Sequence, residues 1–387
     1  MKKTLALIAA GLLATALPAT AADLWRRIDN PAPIASGADG KPHTASCSAY
    51  PGTDPTFRFW TRRGKSSNLV VYFEGGGACW DDLTCTFPFG RGLPGAVPQF
   101  YSPAVAARPS PKDDVGLFDE TQASNPLKDW TVVYIPYCTG DIHLGSAKRT
   151  YNDYGHPIYN LPPTFEIRHS GFDNFMVVFD WMKKNLRTPN QVLVTGSSAG
   201  GYGATGNFPW VAETYPQAKL SVLADASQGV TTAAFDGGTP GRGSWNPQLA
   251  PWVFGSTLVP GPQLMRKGAQ AYPGGRFAQY TTALDGVQAG FYGVMKQFYG
   301  PGGSCTDINA DWNQQMLSQL ASDNASLPNF RSYVAPGTSH TILRSTAFYA
   351  ENGTGRLFND WVADMLAGST GWQSAACPDC LNPVPCP

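Results

Sequence analysis

Gln191–Gly203 reads QVLVTGSSAGGYG. Val192-Leu193-Val194 is a short apolar run of strand character, and a plausible helix opens near Ala199 and runs to Thr214. Between them stands Gly196-Ser197-Ser198-Ala199-Gly200, a Gly-x-Ser-x-Gly pattern. A bare five-residue match of this kind is most often a Gly/Ser-rich surface turn. Set between a strand and a helix, it is a nucleophile elbow. The serine occupies a tight, strained turn, so the residues two before and two after it must be small. The turn lifts the Ser198 Oγ clear of the sheet, and the following helix aims unpaired N–H groups and its positive dipole end at the same place.

The remaining sequence bounds what such a site can serve. The 387 residues suffice for a large core, and enzymes built from alternating strands and helices often form one domain at this length. Only 14% of the residues are charged, with 28 basic and 28 acidic, so no charge bias points to nucleic acid or an anionic membrane. Met1–Ala21 reads as a signal peptide: Lys2 and Lys3, an apolar stretch from Leu5 to Leu17, and Ala19-Thr20-Ala21 as a cleavage site. The apolar run is short for a bilayer span, and no cysteine at the cleavage site supports a lipid anchor. The expectation is a mature chain from Ala22 that is secreted, extracellular or periplasmic, with no membrane span once the signal is removed. Export gives a meaning to the eight cysteines, Cys47, Cys79, Cys85, Cys138, Cys305, Cys377, Cys380 and Cys386. In an oxidising compartment an even number implies disulfides, four by default. Spacing suggests Cys79–Cys85 as a loop staple. Cys377-x-x-Cys380 has zinc or redox spacing, but without nearby histidines a C-terminal disulfide knot is the better reading.

In chain order, Ala22–Ser46 looks irregular. Strand-like runs follow at Phe57–Thr61, Leu69–Phe73, Thr131–Ile135, Leu220–Leu223, Phe277–Thr282 and Phe330–Ala335. Helical spacing marks Phe172–Leu186, Val287–Phe298 and Leu357–Leu366. Strands alternating with helices predict an α/β fold with a mainly parallel sheet covered on both faces. Phe87–Pro111 reads as a long surface loop. Residues 235–275 are rich in Gly and Pro and carry Trp245, Trp252 and Phe254, which suggests a lid or cap within one catalytic domain spanning 22–387. Residues 370–387 form a Cys/Pro-rich tail.

Ser198 needs a base, and the chain has five histidines: His43, His143, His156, His169 and His340. Behind an elbow of this type the triad order is Ser, acid, His, and only His340 follows Ser198. Of the acids between them, Asp225 and Asp285 each end a strand-like run, where such sheets present their chemistry. Asp285 ends the strand before the histidine loop and is preferred as the residue that orients His340. Asp225 is kept as the alternative, or as a structural carboxylate taking backbone N–H bonds. An oxyanion needs donors aimed in advance: the N–H of Ala199, and those of a loop after an early strand. Glu74-Gly75-Gly76-Gly77 sits at that point, with glycines that let the backbone turn its N–H groups inward. No phosphate-binding fingerprint is present.

The stretches VVYFEGGGACWDDLTC, VVYIPYCTGDIHLG, VLVTGSSAGGYGA, LADASQG, YTTALDGVQAGFY and PGTSHTIL together resemble the pectin acetylesterase family, which includes the animal lipid deacylase Notum. The resemblance covers most of the chain beyond about residue 44. It implies an α/β-hydrolase fold, a triad on Ser198, Asp285 and His340, oxyanion donors on Gly76, Gly77 and Ala199, and a Cys47–Cys138 pair beside Cys79–Cys85. It implies no cofactor and no metal. Gly77-Ala78 stand where Notum has a bulky aromatic pair, and His143 stands in place of a Notum tryptophan, so Notum's lipid pocket does not carry over. His143, Trp245 and Trp252 are candidate pocket residues. The expected activity is that of a serine carboxylesterase, acting as a monomer on an ester substrate, foremost O-acetyl groups of pectin or related cell-wall polysaccharide. The alternatives are a deacylase, lipase-like esterase or polyester hydrolase on the same triad, and a non-catalytic carbohydrate-binding protein on an inherited fold.

Overall fold

The computed structural model describes residues 25–89, 99–105, 115–156, 160–299 and 304–380, with backbone only at Phe298, Tyr299 and Cys305. The signal-peptide reading, most of the Phe87–Pro111 loop and Cys386 therefore lie outside the described residues. The strands are β1 (Trp25–Asp29), β2 (Arg58–Arg62), β3 (Asn68–Phe73), β4 (Thr131–Ile135), β5 (Ala147–Asn152), β6 (Thr164–His169), β7 (Gln191–Ser197), β8 (Lys219–Asp225), β9 (Arg276–Thr282), β10 (Phe330–Ala335) and β11 (Ala375–Ala376). The helices are α1 (Asp82–Thr86), α2 (Gly171–Asn185), α3 (Ala199–Thr214), α4 (Ala233–Gly237), α5 (Pro251–Phe254), α6 (Gly261–Ala271), α7 (Gly286–Tyr299), α8 (Cys305–Ser326) and α9 (Phe358–Ala367). Nine strands form one sheet in the order β1-β2-β4-β3-β7-β8-β9-β10-β11, and β5 and β6 form a separate antiparallel pair. From β4 to β11 every pairing is parallel; β1 and β2 add an antiparallel edge.

The central strands are apolar at nearly every position because both faces are covered. Val71, Val133, Val194 and Val222 point into one core with Phe175 and Phe179 of α2 and Phe208 of α3. Their neighbours Val70, Val132, Leu193 and Leu223 point into the other, with Phe358 and Trp361 of α9. The period of two along each strand decides which face receives which side chain.

Three differences from the sequence reading have physical causes. Trp25–Asp29 is a strand, not irregular coil; its WRRID sequence sits on an exposed edge and carries no buried alternation. The 22-residue α8 is polar over most of its surface, and its buried apolar stripe is only Ile308, Trp312, Met316 and Leu320, four residues apart. Ser304 and Asp307 cap its start reciprocally. Residues 235–275 are largely short helices rather than open loop, and α6 packs against α3.

Disulfides join Cys47 to Cys138, Cys79 to Cys85 and Cys377 to Cys380. The first closes a separation of 91 residues, for which chain entropy alone predicts about 4–5 kcal/mol. The third joins two cysteines three residues apart, so the C-x-x-C sequence is a local staple.

The segment that leads to Cys47 is held by a buried histidine. His43 Nδ1 meets Asp173 Oδ1 of α2 at 2.7 Å, and Nε2 meets Asp39 Oδ1 at 2.8 Å. Ser146 Oγ also donates to Asp173. Burial pushes the His43 pKa down, but the bonds to Asp173 and Asp39 outweigh it and hold it above the ordinary 6.5. Only the imidazolium can donate from both nitrogens. The stabilisation is therefore complete below about pH 6.5 and is lost as pH rises through the elevated folded value. Thermal melts should show the difference in Tm between the parent chain and His43→Gln shrinking as pH rises above 6.5. A difference independent of pH would show that His43 is held neutral.

Candidate active site

β7 carries the elbow to the C-terminal edge of the sheet. Ser198 adopts φ 57° and ψ −126°, a positive-φ conformation costly for a residue with a Cβ, and it is the N-cap of α3. The glycine after it is required by close approach: a Cβ on Gly200 would lie 2.6 Å from the Phe73 carbonyl carbon and 2.8 Å from the Glu74 oxygen. The loop that β3 delivers is thereby pressed against the serine turn. Gly77, in that loop, has φ +71°, which an L side chain rarely adopts. Among the described residues the N–H groups of Gly76, Gly77 and Ala199 have no recorded acceptor.

β9 and β10, adjacent and parallel, bring the other two residues together. Asp285 is fully buried and caps α7 through the N–H groups of Val287 and Gln288. Both its oxygens also lie within 2.9 Å of His340 Nδ1, which donates to them. That fixes the proton on Nδ1 and leaves Nε2 free to accept. Nε2 is buried and has no partner, and His340 and Ser198 line the same cavity. In a ligand-free geometry the serine–histidine bond is often long and tightens only on the substrate.

Asp225 has the other duty weighed from the sequence. It accepts from Ser197 Oγ at 2.7 Å and from the N–H groups of Ile342 and Leu343 at 3.0 Å, and it makes no hydrogen bond to His340. Its carbonyl accepts from Ser198 N at 2.7 Å. Burial drives its carboxyl pKa up to about 6, which the donors from Leu343, Ser197 and Ile342 only partly offset.

Ser198 and His340 stand between two spaces. One is an apolar cavity of about 70 Å³ walled by Trp80, Phe235, Trp245, Phe291, Met295 and Trp312. The other is an open groove bordered by Glu74, Phe89, Thr341 and Arg344. Trp245 lines the wall of this cavity, and its Nε1 donates to Cys79 O at 2.6 Å. The Cys79–Cys85 staple thus holds the wall as well as its own loop.

Two expected pocket residues do not line that cavity. His143 is buried behind the glycine loop, its Nε2 donating to Glu74 O at 2.8 Å and its ring packed on Tyr137 and Phe73. Burial lowers its pKa to about 4, so it is neutral and positions the loop. Its neighbour Ile142 lines the cavity instead, and both have positive φ, 51° and 62°. Trp252 is 51% exposed, packs edge-on against Trp210 and donates to the Tyr272 hydroxyl. Phe254 is in the core. Arg242, Gln288 and the α7 and α8 side chains on the wall were not singled out from sequence, because nothing local marks a residue that joins a pocket only through packing. Cys79 and Cys85 also lie near His169 in a cluster with metal-ligand spacing, but the two sulfurs are bonded to each other.

The sequence profile of the pectinacetylesterase family matches residues 39–238. The chain belongs to that family. The match includes the glycine loop, the elbow and Asp225, and ends before Asp285 and His340. Among relatives, the chain is 26% identical over 160 residues to the palmitoleoyl-protein carboxylesterase notum2 of Xenopus laevis, covering 41% of this chain and 29% of that protein. It is 24% identical over 194 residues to pectin acetylesterase 11 of Arabidopsis thaliana, covering 49% and 44%. The chain thus spans under half the length of these relatives. No helix among the described residues is long and apolar enough to cross a membrane.

Replacing Asp225 with alanine leaves the Ser197 O–H and two buried N–H groups without an acceptor, so it should cost at least about 3 kcal/mol, read as a lowered urea midpoint at unchanged slope. A loss under about 1 kcal/mol would show that the brace is dispensable.

Proposed function

We propose that the chain is a secreted serine carboxylesterase of α/β-hydrolase type, a single catalytic domain acting as a monomer, that removes O-acetyl groups from pectin or related cell-wall polysaccharide. The observation that carries the reading is the Asp285–His340 pair, with an unpartnered Nε2 on the cavity that Ser198 lines.

In this mechanism His340 Nε2 takes the Ser198 proton as Oγ attacks the ester carbonyl. The N–H groups of Gly76, Gly77 and Ala199 receive the oxyanion. His340 passes the proton to the departing sugar hydroxyl, and the acyl group stays on Ser198. Water, deprotonated by His340, then releases the acid. Asp285 holds the tautomer throughout and stabilises the imidazolium. The layout supports a small acyl group entering the apolar cavity while a bulky alcohol lies in the more open groove. The sugar substrate class comes from the relative named pectin acetylesterase. A second reading, hydrolysis of acyl groups longer than acetyl, is favoured by the aromatic walls, which offer more apolar surface than a methyl group fills.

Ser198→Ala should abolish turnover with the fold intact, and Asp285→Asn should lower kcat on the order of 10⁴-fold by stabilising the wrong histidine tautomer. Retained turnover in Ser198→Ala would reject the assignment. A paired profile decides the substrate: acetate released from acetylated pectin and xylan, against nitrophenyl esters from acetyl to palmitoyl. Acetate release with an acetyl optimum is the expected result. An optimum at longer chains without acetate release would establish the second reading.

A further inference from the structure

Arg242 is the one side chain with a fixed charge on the wall of the apolar cavity, among the described residues. It is 2% exposed. Its Nη1 donates to Val259 O at 2.8 Å, and its Nη2 lies 2.8 Å from Asp236 Oδ1. The pair is not aligned as a hydrogen bond, so Asp236 Oδ1 has none, and Arg242 Nε is buried without an acceptor. Asp236 Oδ2 is taken by Thr231 Oγ1 at 2.6 Å. The guanidinium also stands over Phe235, 5.8 Å from the ring centre. A buried cation on the cavity wall, beside one aromatic ring and with one donor unused, is an expensive arrangement for a surface whose only task is to hold a methyl group.

We infer that Arg242 is a specificity-determining residue of the acyl cavity, which accepts neutral acyl groups carrying a hydroxyl or ether oxygen beyond the ester carbonyl. The inference rests on the esterase reading above. Asp236 already balances the charge, so a carboxylate brought to the pair would be an uncompensated buried ion, whereas a neutral oxygen can take an N–H at little electrostatic cost. Trp80, Trp245 and Phe291 supply the apolar contact for the carbon chain on the way. Discrimination of this kind exceeds what shape alone can give, because an isostere without the oxygen leaves the buried donor unpaired.

The test compares isosteric nitrophenyl esters in pairs: methoxyacetyl with butyryl, then homologues in which the ether oxygen moves out one carbon at a time against the matching alkyl ester. Each kcat/KM ratio is divided by the ratio for alkaline hydrolysis, which removes the ether's own activating effect. The parent chain should prefer the ether about 10- to 100-fold at one position of the oxygen and not at the others. The preference should vanish in Arg242→Met and in Arg242→Met with Asp236→Asn, the second variant leaving no lone buried carboxylate. Ratios taken within one enzyme are indifferent to how much of it is folded. Corrected ratios near one at every position in the parent chain would overturn the inference by themselves, as would a preference that survives both variants. Failure to hydrolyse any ester would instead overturn the esterase reading, so the two are told apart.

Discussion

The fully buried Asp225 carboxylate is the constraint on which the site depends. Burying it is costly, as its carboxyl pKa near 6 records, and three donors recover only part of that cost. In return it ties the serine turn at the end of β7 to the loop that follows β10. Ser197 and the N–H groups of Ile342 and Leu343 converge on one side chain, although more than a hundred residues separate them. Two loops on strands three positions apart in the sheet are thereby held in one register, and the position of His340 relative to Ser198 follows. The residue is a positioning group: it holds backbone, while Asp285 holds the imidazole.

The second constraint is the backing of the glycine loop. His143, neutral because it is buried, donates to the Glu74 carbonyl from behind. Positive φ at Ile142 and His143 turns one side chain into the cavity wall and the other into that support. Strain of this sort persists where surrounding structure over-determines it. Here the Cys47–Cys138 bridge lies just upstream, and Asp141 accepts from Thr139 Oγ1 and from the N–H of Gly171. The Cys79–Cys85 staple plays the matching part across the cavity, since Cys79 O receives the Trp245 indole.

Much of the fold was legible because buried parallel strands and their covering helices write strong periodic signals. Thr131–Ile135, Phe330–Ala335 and Ala199–Thr214 coincide with their sequence readings. The edge strand β1 and the polar helix α8 were not legible, since each has its apolar contact on a narrow stripe or at an edge. Trp252 misled for a related reason: an aromatic in a Gly/Pro-rich segment is equally consistent with a cavity wall and with a surface contact on Trp210.

By itself, the sequence determined the chemistry on offer. An elbow serine, one histidine downstream of it, an acid ending the preceding strand and a glycine loop after an early strand are local or ordinal features, and strand order carries them to one edge of the sheet. Which aromatics wall the cavity and the presence of a charged arginine among them were decided only by the tertiary structure. Those outcomes depend on distances between segments far apart in the chain, and such distances are set by packing and by the brace at Asp225 rather than by any pattern of neighbouring residues.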